Sequence, residues 1–172
     1  EAIRQSSAFL LFVGDLNRAQ KGVHMHTENF YPEGTENLLI SSVDAALAGQ
    51  NTLLAAESSG YGGVIIGLVR YASSQIAKLF KLPDYTYPVF GIALGTPDQN
   101  HAVKPRLPYE AVVFEEEYLE QDDLVIQAYD RVQAEYAGER AKETWSQRLA
   151  AQFGQEPNQA IDQLFKEKKL EK

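Results

Sequence analysis

Lys104 and Arg106 stand on either side of a proline in KPRLP (104–108), and a second proline closes the segment. Proline fixes its own φ and restricts the residue before it. Two cations on so stiff a segment lose little entropy when they meet an anion. A phosphate takes Arg in a bidentate fork and Lys as a point charge. The chain carries a formal net charge of −8, so this pair suits one phosphate group, not a polyanion; the alternative is two solvated surface charges. GYGGVIIG (60–67) is the glycine-rich stretch. It does not match G-x-G-x-x-G, and it enters a strand instead of leaving one. It reads as a helix C-cap running into a turn, or as a place where Gly67 lets a flat ligand approach the backbone. Arg140 and Lys142 lie in a third polar segment, GERAKETWS (138–146). They are either a second pair of cations free to close on an anion or charges balanced by Glu139 and Glu143.

Several chemistries find no support. His24 and His26 stand two apart in a polar loop without a third ligand at a recognisable spacing, so no metal site is expected. No serine has a G-x-S-x-G setting. The chain has no cysteine, which excludes disulfides and thiolate chemistry. Glu115–Glu117 read as a solvated face, and Trp145 as a packing anchor. With a sequence pI near 4.9, non-specific binding to nucleic acid or an anionic membrane is not expected. The longest apolar runs are short against a bilayer, and no signal-peptide pattern opens the chain. A cytoplasmic protein is the expectation.

These segments need elements to hold them. Phe9–Val13, VIIGLV (64–69) and VFGIALG (89–95) read as continuously apolar strands, which predicts coverage on both faces. Between the first two, Leu38, Leu39, Val43, Ala46, Leu47, Leu53 and Leu54 recur at helical spacing. Thr35 is placed to cap that helix and Gly60 to end it, giving a long helix over 36–59. Its many small residues allow close approach on several sides, including across a dimer. A helix over 72–81 should bury Ile76, Leu79 and Phe80. Helices follow over 122–137 and from a Thr144–Gln147 capping box through Phe153. Pro157 can open a last helix that buries Ile161, Leu164 and Phe165 and ends in a lysine-rich tail. The 172 residues fit one domain with helices outweighing strands. A strand so close to Glu1, in a chain without an initiator methionine, suggests that a segment once preceded it.

SSVDAALAGQNTLLAAESSGYGGVIIG, KLFKLPDYTYPVFGIALGTP, KPRLP and ETWS, in this order, resemble the FMN-dependent nitroreductase family. The nearest group is the oxygen-insensitive NADPH nitroreductases and NADPH–flavin oxidoreductases. The resemblance covers about the C-terminal two thirds of such an enzyme. It implies an α+β nitroreductase-like fold, a central sheet covered by helices on both faces, and a homodimer built on the long helix. It implies FMN as cofactor, with Lys104 and Arg106 on its phosphate and Ile65, Ile66, Gly67 and Glu57 around its ring. It implies NADPH as electron donor, its 2′-phosphate met by Arg140 and Lys142. Where the family often has Tyr-Ile-Gly-Gly, this chain has Ile65-Ile66-Gly67-Leu68. The implied activity is ping-pong: hydride from NADPH through FMN to nitroaromatics, quinones or free flavin. No side chain need act as acid or base, so no catalytic residue is named. The alternative is a truncated or non-catalytic flavin-binding, dimerising relative.

Overall fold

From Thr86 to Ala93, every residue except Val89 is buried in the computed structural model, which describes residues 1–100 and 102–171. Around this strand the elements run α1 (Ala2–Gln5), β1 (Ala8–Asp15), α2 (Asn17–Val23), α3 (Thr35–Ser58) and β2 (Gly62–Ile66). A 3₁₀ turn over Gly67–Ala72 leads to α4 (Ser73–Leu79) and β3 (Thr86–Gly95). Then come α5 (Asp123–Ala137), α6 (Trp145–Phe153) and α7 (Ala160–Glu167). The chain forms two compact units, residues 1–99 with 158–172, and residues 100–157.

In the first unit the three strands form an antiparallel sheet ordered β1-β3-β2. Phe9 and Phe12, three apart on one strand, face opposite sides of it. Phe12 stacks on Phe90 with ring centroids 5.0 Å apart, beside Gly49 of α3. Phe9 meets Phe80, at the end of α4, at 6.5 Å. Helices therefore cover both faces, as expected. Burial along most of the strand holds for β3 alone. β1 and β2 are the sheet's edges, and Leu10, Val64 and Ile65 stay exposed.

A core cluster of Ala77, Tyr87, Leu164 and Leu170 joins α4, β3, α7 and the residues after it. Phe165 meets the Tyr87 ring edge-on at 5.1 Å. The Tyr87 hydroxyl donates to the Leu38 carbonyl at 2.7 Å and lies 2.9 and 2.8 Å from the Ser41 and Ser42 hydroxyls. The buried phenol is thus satisfied, which removes the penalty of an unpaired polar group.

Several expected boundaries move, each for a local reason. Gly34, at φ 112°, takes the N-cap of α3, and Thr35 is its first residue. The other end is as read: the Gly60 N–H donates to Glu57 and the Tyr61 N–H to Ala56, with Gly60 at φ 82°. That is a Schellman ending, which glycine makes without a Cβ penalty. β2 stops at Ile66 because Gly67 begins the 3₁₀ turn, so VIIGLV is half strand. In α4 the buried residues are Ser73 and Ala77; Leu79 and Phe80 are exposed. α7 starts at Ala160, three residues past Pro157, where the Asn158 Oδ1 accepts the Ala160 N–H. It buries Leu164 fully and Ile161 and Phe165 partly. Lys172, at the end of the tail, lies outside the described residues.

α3 also corrects the expectation about apolar runs. As a 24-residue helix with a mean hydropathy of 1.2 over its most apolar window, it is long and apolar enough to cross a membrane by length and composition. Its apolar runs are short, but its alanines and leucines add up along the helix. In this fold it lays a stripe of Ser41, Ala45 and Gly49 against the sheet and is buried there. Leu39, Ile40, Val43, Leu47 and Leu54 on its other sides remain exposed.

Candidate functional site

The polar segment around Lys104 is held by α5. Tyr129, Gln133 and Tyr136 follow one another at i, i+4 and i+7 and so share one helix face. The Gln133 Nε2 donates to the Pro105 carbonyl at 2.8 Å, and the Tyr129 hydroxyl to the same oxygen at 3.3 Å. The Tyr136 hydroxyl donates to the Ala102 carbonyl at 3.0 Å. α6 is fixed to α5 by a second set of bonds. The Asp130 carboxylate accepts the Ser146 N–H at 2.9 Å and the Ser146 hydroxyl at 2.5 Å. Thr144 caps α6 in the expected box with Gln147, and Trp145 packs edge-on against Tyr129 at 5.2 Å. Partial burial alone would push the Asp130 pKa up. The bonds from the Ser146 hydroxyl and N–H, the Thr144 hydroxyl and the Trp145 N–H outweigh it and hold the pKa below the ordinary value.

Lys104, Arg140 and Lys142 line one open cavity of about 310 Å³ with Gln133, Tyr136 and Arg148. Four cations around one recess, with Glu143 the one acidic side chain lining it, make a local positive field within an acidic chain. Arg106 opens instead on a separate apolar recess of about 460 Å³, with Leu124, Val125, Ala128 and Val132. The two cations of KPRLP thus face different recesses. Both are exposed, and neither makes an ion pair or side-chain hydrogen bond among the described residues. Arg140 rests on its own helix end: its Nε donates to Ala137 at 3.2 Å, its Nη2 to Tyr136 at 3.4 Å, and its guanidinium lies 5.8 Å from the Tyr136 ring centre. No cluster of acidic, histidine or cysteine side chains able to hold a metal occurs among the described residues.

The remaining predicted residues lie in the first unit. Glu57 is exposed on the last turn of α3. Ile65 pairs with Ile92 and Ile66 with Gly91 on the edge strand β2, and the Ile65 side chain is 51% exposed. Gly67 starts the turn, and Arg70 ties that turn to β3 by donating to the Val89 carbonyl at 2.6 Å. A Cβ at Gly67 would lie 3.1 Å from the Arg70 guanidinium, so a side chain there would crowd the arginine that ties the turn to β3. Reading the sequence missed Gln133, Tyr136 and Arg148. The i, i+4, i+7 spacing of Tyr129, Gln133 and Tyr136 was the available signal for the first two. Arg148, one turn after Trp145, had none.

Residues 3–96 match the model of the nitroreductase family, and residues 104–172 that of the nitroreductase family C-terminal domain. The chain is 42% identical over 160 residues to an FMN reductase [NAD(P)H] of Bacillus subtilis, covering 88% of this chain and 64% of that one. It is 39% identical over 158 residues to the oxygen-insensitive NADPH nitroreductase of Salmonella typhimurium, covering 86% and 61%. The chain therefore spans about three fifths of the length of these curated relatives. Among solved structures, nitroreductase A from Vibrio parahaemolyticus superimposes with a TM-score of 0.86 at 38% identity, covering 97% of this chain and 69% of that one. The NADPH:FMN oxidoreductase from Vibrio harveyi, complexed with NAD+, does so with 0.84 at 38% identity, covering 97% and 69%. On two family models, these identities and this shared nitroreductase-like fold, the chain belongs to the nitroreductase family.

Proposed function

We propose that this protein is an NADPH-dependent, FMN-dependent oxidoreductase acting on small electron acceptors such as nitroaromatics, quinones or free flavin. The observation that carries the reading is the cavity lined by Lys104, Arg140, Lys142 and Arg148 in a chain of net charge −8. Such a recess suits small phosphorylated ligands, and its residues fall within the matched C-terminal family domain. The names of the relatives, FMN reductase and NADPH nitroreductase, point the same way.

Each unit taken by itself offers groups of the kind that FMN requires. Lys104 and Arg106 are exposed and make no ion pair among the described residues; on a segment whose backbone is fixed, both side chains can turn from the separate recesses they line toward one phosphate, the role proposed for them. The exposed apolar edge at Ile65 and Ile66, the bare backbone at Gly67 and the Glu57 side chain serve the ring. When bound, FMN supplies the hydride-accepting and hydride-donating chemistry that no side chain of this chain offers. Arg140 and Lys142 serve the 2′-phosphate of NADPH, whose nearly two charges distinguish it from NADH. No residue is assigned a proton-transfer role.

The same reading includes a homodimer through α3. Leu39, Ile40, Val43, Leu47 and Leu54 on that helix are each about half exposed, so covering what remains would contribute roughly 1 kcal/mol apiece. A truncated or non-catalytic flavin-binding protein is the alternative. The deciding experiment is flavin analysis of the purified protein, with sedimentation and NADPH oxidation against a small acceptor panel. A yellow dimer that oxidises NADPH only with an acceptor present supports the enzyme. A colourless protein that binds no added FMN overturns it, and a flavin-bearing protein without turnover selects the alternative.

A further inference from the structure

Gln133 is polar yet only 5% exposed. Its amide donates to the Pro105 carbonyl at 2.8 Å and to the Tyr129 hydroxyl at 2.9 Å, while that hydroxyl donates to the same carbonyl at 3.3 Å. Proline has no N–H, so the carbonyl is the one backbone group by which Pro105 can be tied down. The residues on either side, Lys104 and Arg106, are exposed and make no ion pair or side-chain hydrogen bond among the described residues; Lys104 lines the recess that Gln133 also lines, and Arg106 the separate apolar one. The segment is therefore clamped through its backbone at the point midway between its two cations. A buried amide aimed at that one oxygen restricts the directions in which both side chains leave the chain.

We propose that Gln133 is a positioning residue for phosphate binding: its amide fixes Pro105 and thereby sets Lys104 and Arg106 for the phosphate of FMN. The proposal rests on the assignment of those two cations made above. It differs from a purely structural role in one measurable respect. Riboflavin is FMN without its phosphate, so a residue that sets the phosphate contacts affects FMN and leaves riboflavin alone. A residue that merely supports the fold affects both.

Dissociation constants for FMN and riboflavin, from quenching of flavin fluorescence, test this in four proteins: wild type, Lys104→Ala with Arg106→Ala, Gln133→Leu and Gln133→Glu. Wild type is expected to prefer FMN, and the double variant to lose that preference. Gln133→Leu is expected to lower the preference about tenfold, on the scale of one or two lost hydrogen bonds, with the riboflavin constant unchanged. Gln133→Glu keeps the shape, but its carboxyl donates to the Pro105 carbonyl only when protonated. Its preference, taken relative to wild type at each pH, is expected to recover as pH falls. This variant carries the test should Gln133→Leu fail to fold. An FMN preference retained in both Gln133 variants, or equal losses for both flavins, overturns the positioning role while leaving the phosphate seat standing. A wild type without FMN preference, or a double variant that keeps it, overturns the seat itself and the inference with it.

Discussion

In residues 1–99 and 158–172 the fully buried side chains are almost all apolar, with Ile92, Leu164 and Leu170 at the centre. In residues 100–157 the buried side chains are Tyr129 and Gln133. The first unit is organised by removing hydrocarbon from water, and its polar bonds satisfy groups that burial would otherwise penalise. The second is organised by side chains that seize backbone: Gln133 and Tyr129 on Pro105, Tyr136 on Ala102, Asp130 on Ser146, Asp122 on Leu124. Hydrocarbon burial is non-directional and tolerates small displacements. Hydrogen bonds specify atoms. KPRLP, whose cations stay in solvent, is fixed in the second way.

Ile92 is the centre of the first unit: it has no exposed surface and pairs with both Leu10 and Ile65. Ile92→Ala is expected to destabilise the protein by about 2–5 kcal/mol, read from urea unfolding. A loss below 1 kcal/mol, on the scale of the polar bonds, would mean that β3 is not the organising strand.

The second test removes charge where nothing apolar is at stake. Lys104→Ala with Arg106→Ala is expected to weaken FMN binding by on the order of a hundredfold, since each charge-assisted bond contributes roughly 1.5–3 kcal/mol. Thermal stability without flavin should stay within a degree or two, because both ends are solvated. A large loss of stability would show the segment to be structural. Arg140→Ala with Lys142→Ala should have the next largest effect, lowering kcat/KM for NADPH about tenfold, less than the first pair because Arg140 already donates to the Ala137 and Tyr136 carbonyls and gains less from an anion. The value for NADH and the FMN content should be spared. Equal losses for the two donors would mean that these cations do not read the 2′-phosphate.

The same division decides what the sequence disclosed. α3 was legible from its apolar period, β3 from its continuous apolar run and α6 from its capping box, and GYGG was legible as a helix ending. The errors fall where an apolar residue type was taken as evidence of burial. Leu79 and Phe80 have helical spacing, but spacing names a side of the helix and not what covers it. VIIGLV looked uniform because the turn at Gly67 is secured by Arg70 reaching back to the Val89 carbonyl, a contact that no local pattern encodes. KPRLP was legible as a cation pair on a stiff segment. That its cations open on different recesses depends on how α5 grips Pro105 and Ala102, across more than twenty residues of sequence.

The smallest expected effect is also the most local. The Asp130 carboxylate accepts two bonds from Ser146, and its pKa lies below the ordinary 3.8, although burial alone would raise it. Between its folded pKa and the unfolded value, the unfolded chain binds more protons. The contribution of Asp130 is therefore complete above the unfolded value and is lost as pH falls through the folded one. Asp130 is only partly buried, so solvent screens much of the interaction. Asp130→Ala should lower the melting midpoint by an amount that is constant from neutral pH to about pH 5 and shrinks steadily below it. The remaining carboxylates titrate in both proteins and cancel in the difference. Trp145, the one tryptophan of the chain, sits beside Ser146 and against Tyr129, so its fluorescence reports this unit directly. A difference that persists unchanged into acid would show that Ser146 is held without the charge. A parallel shift in far-ultraviolet circular dichroism would show that the clamp reaches beyond its own helices.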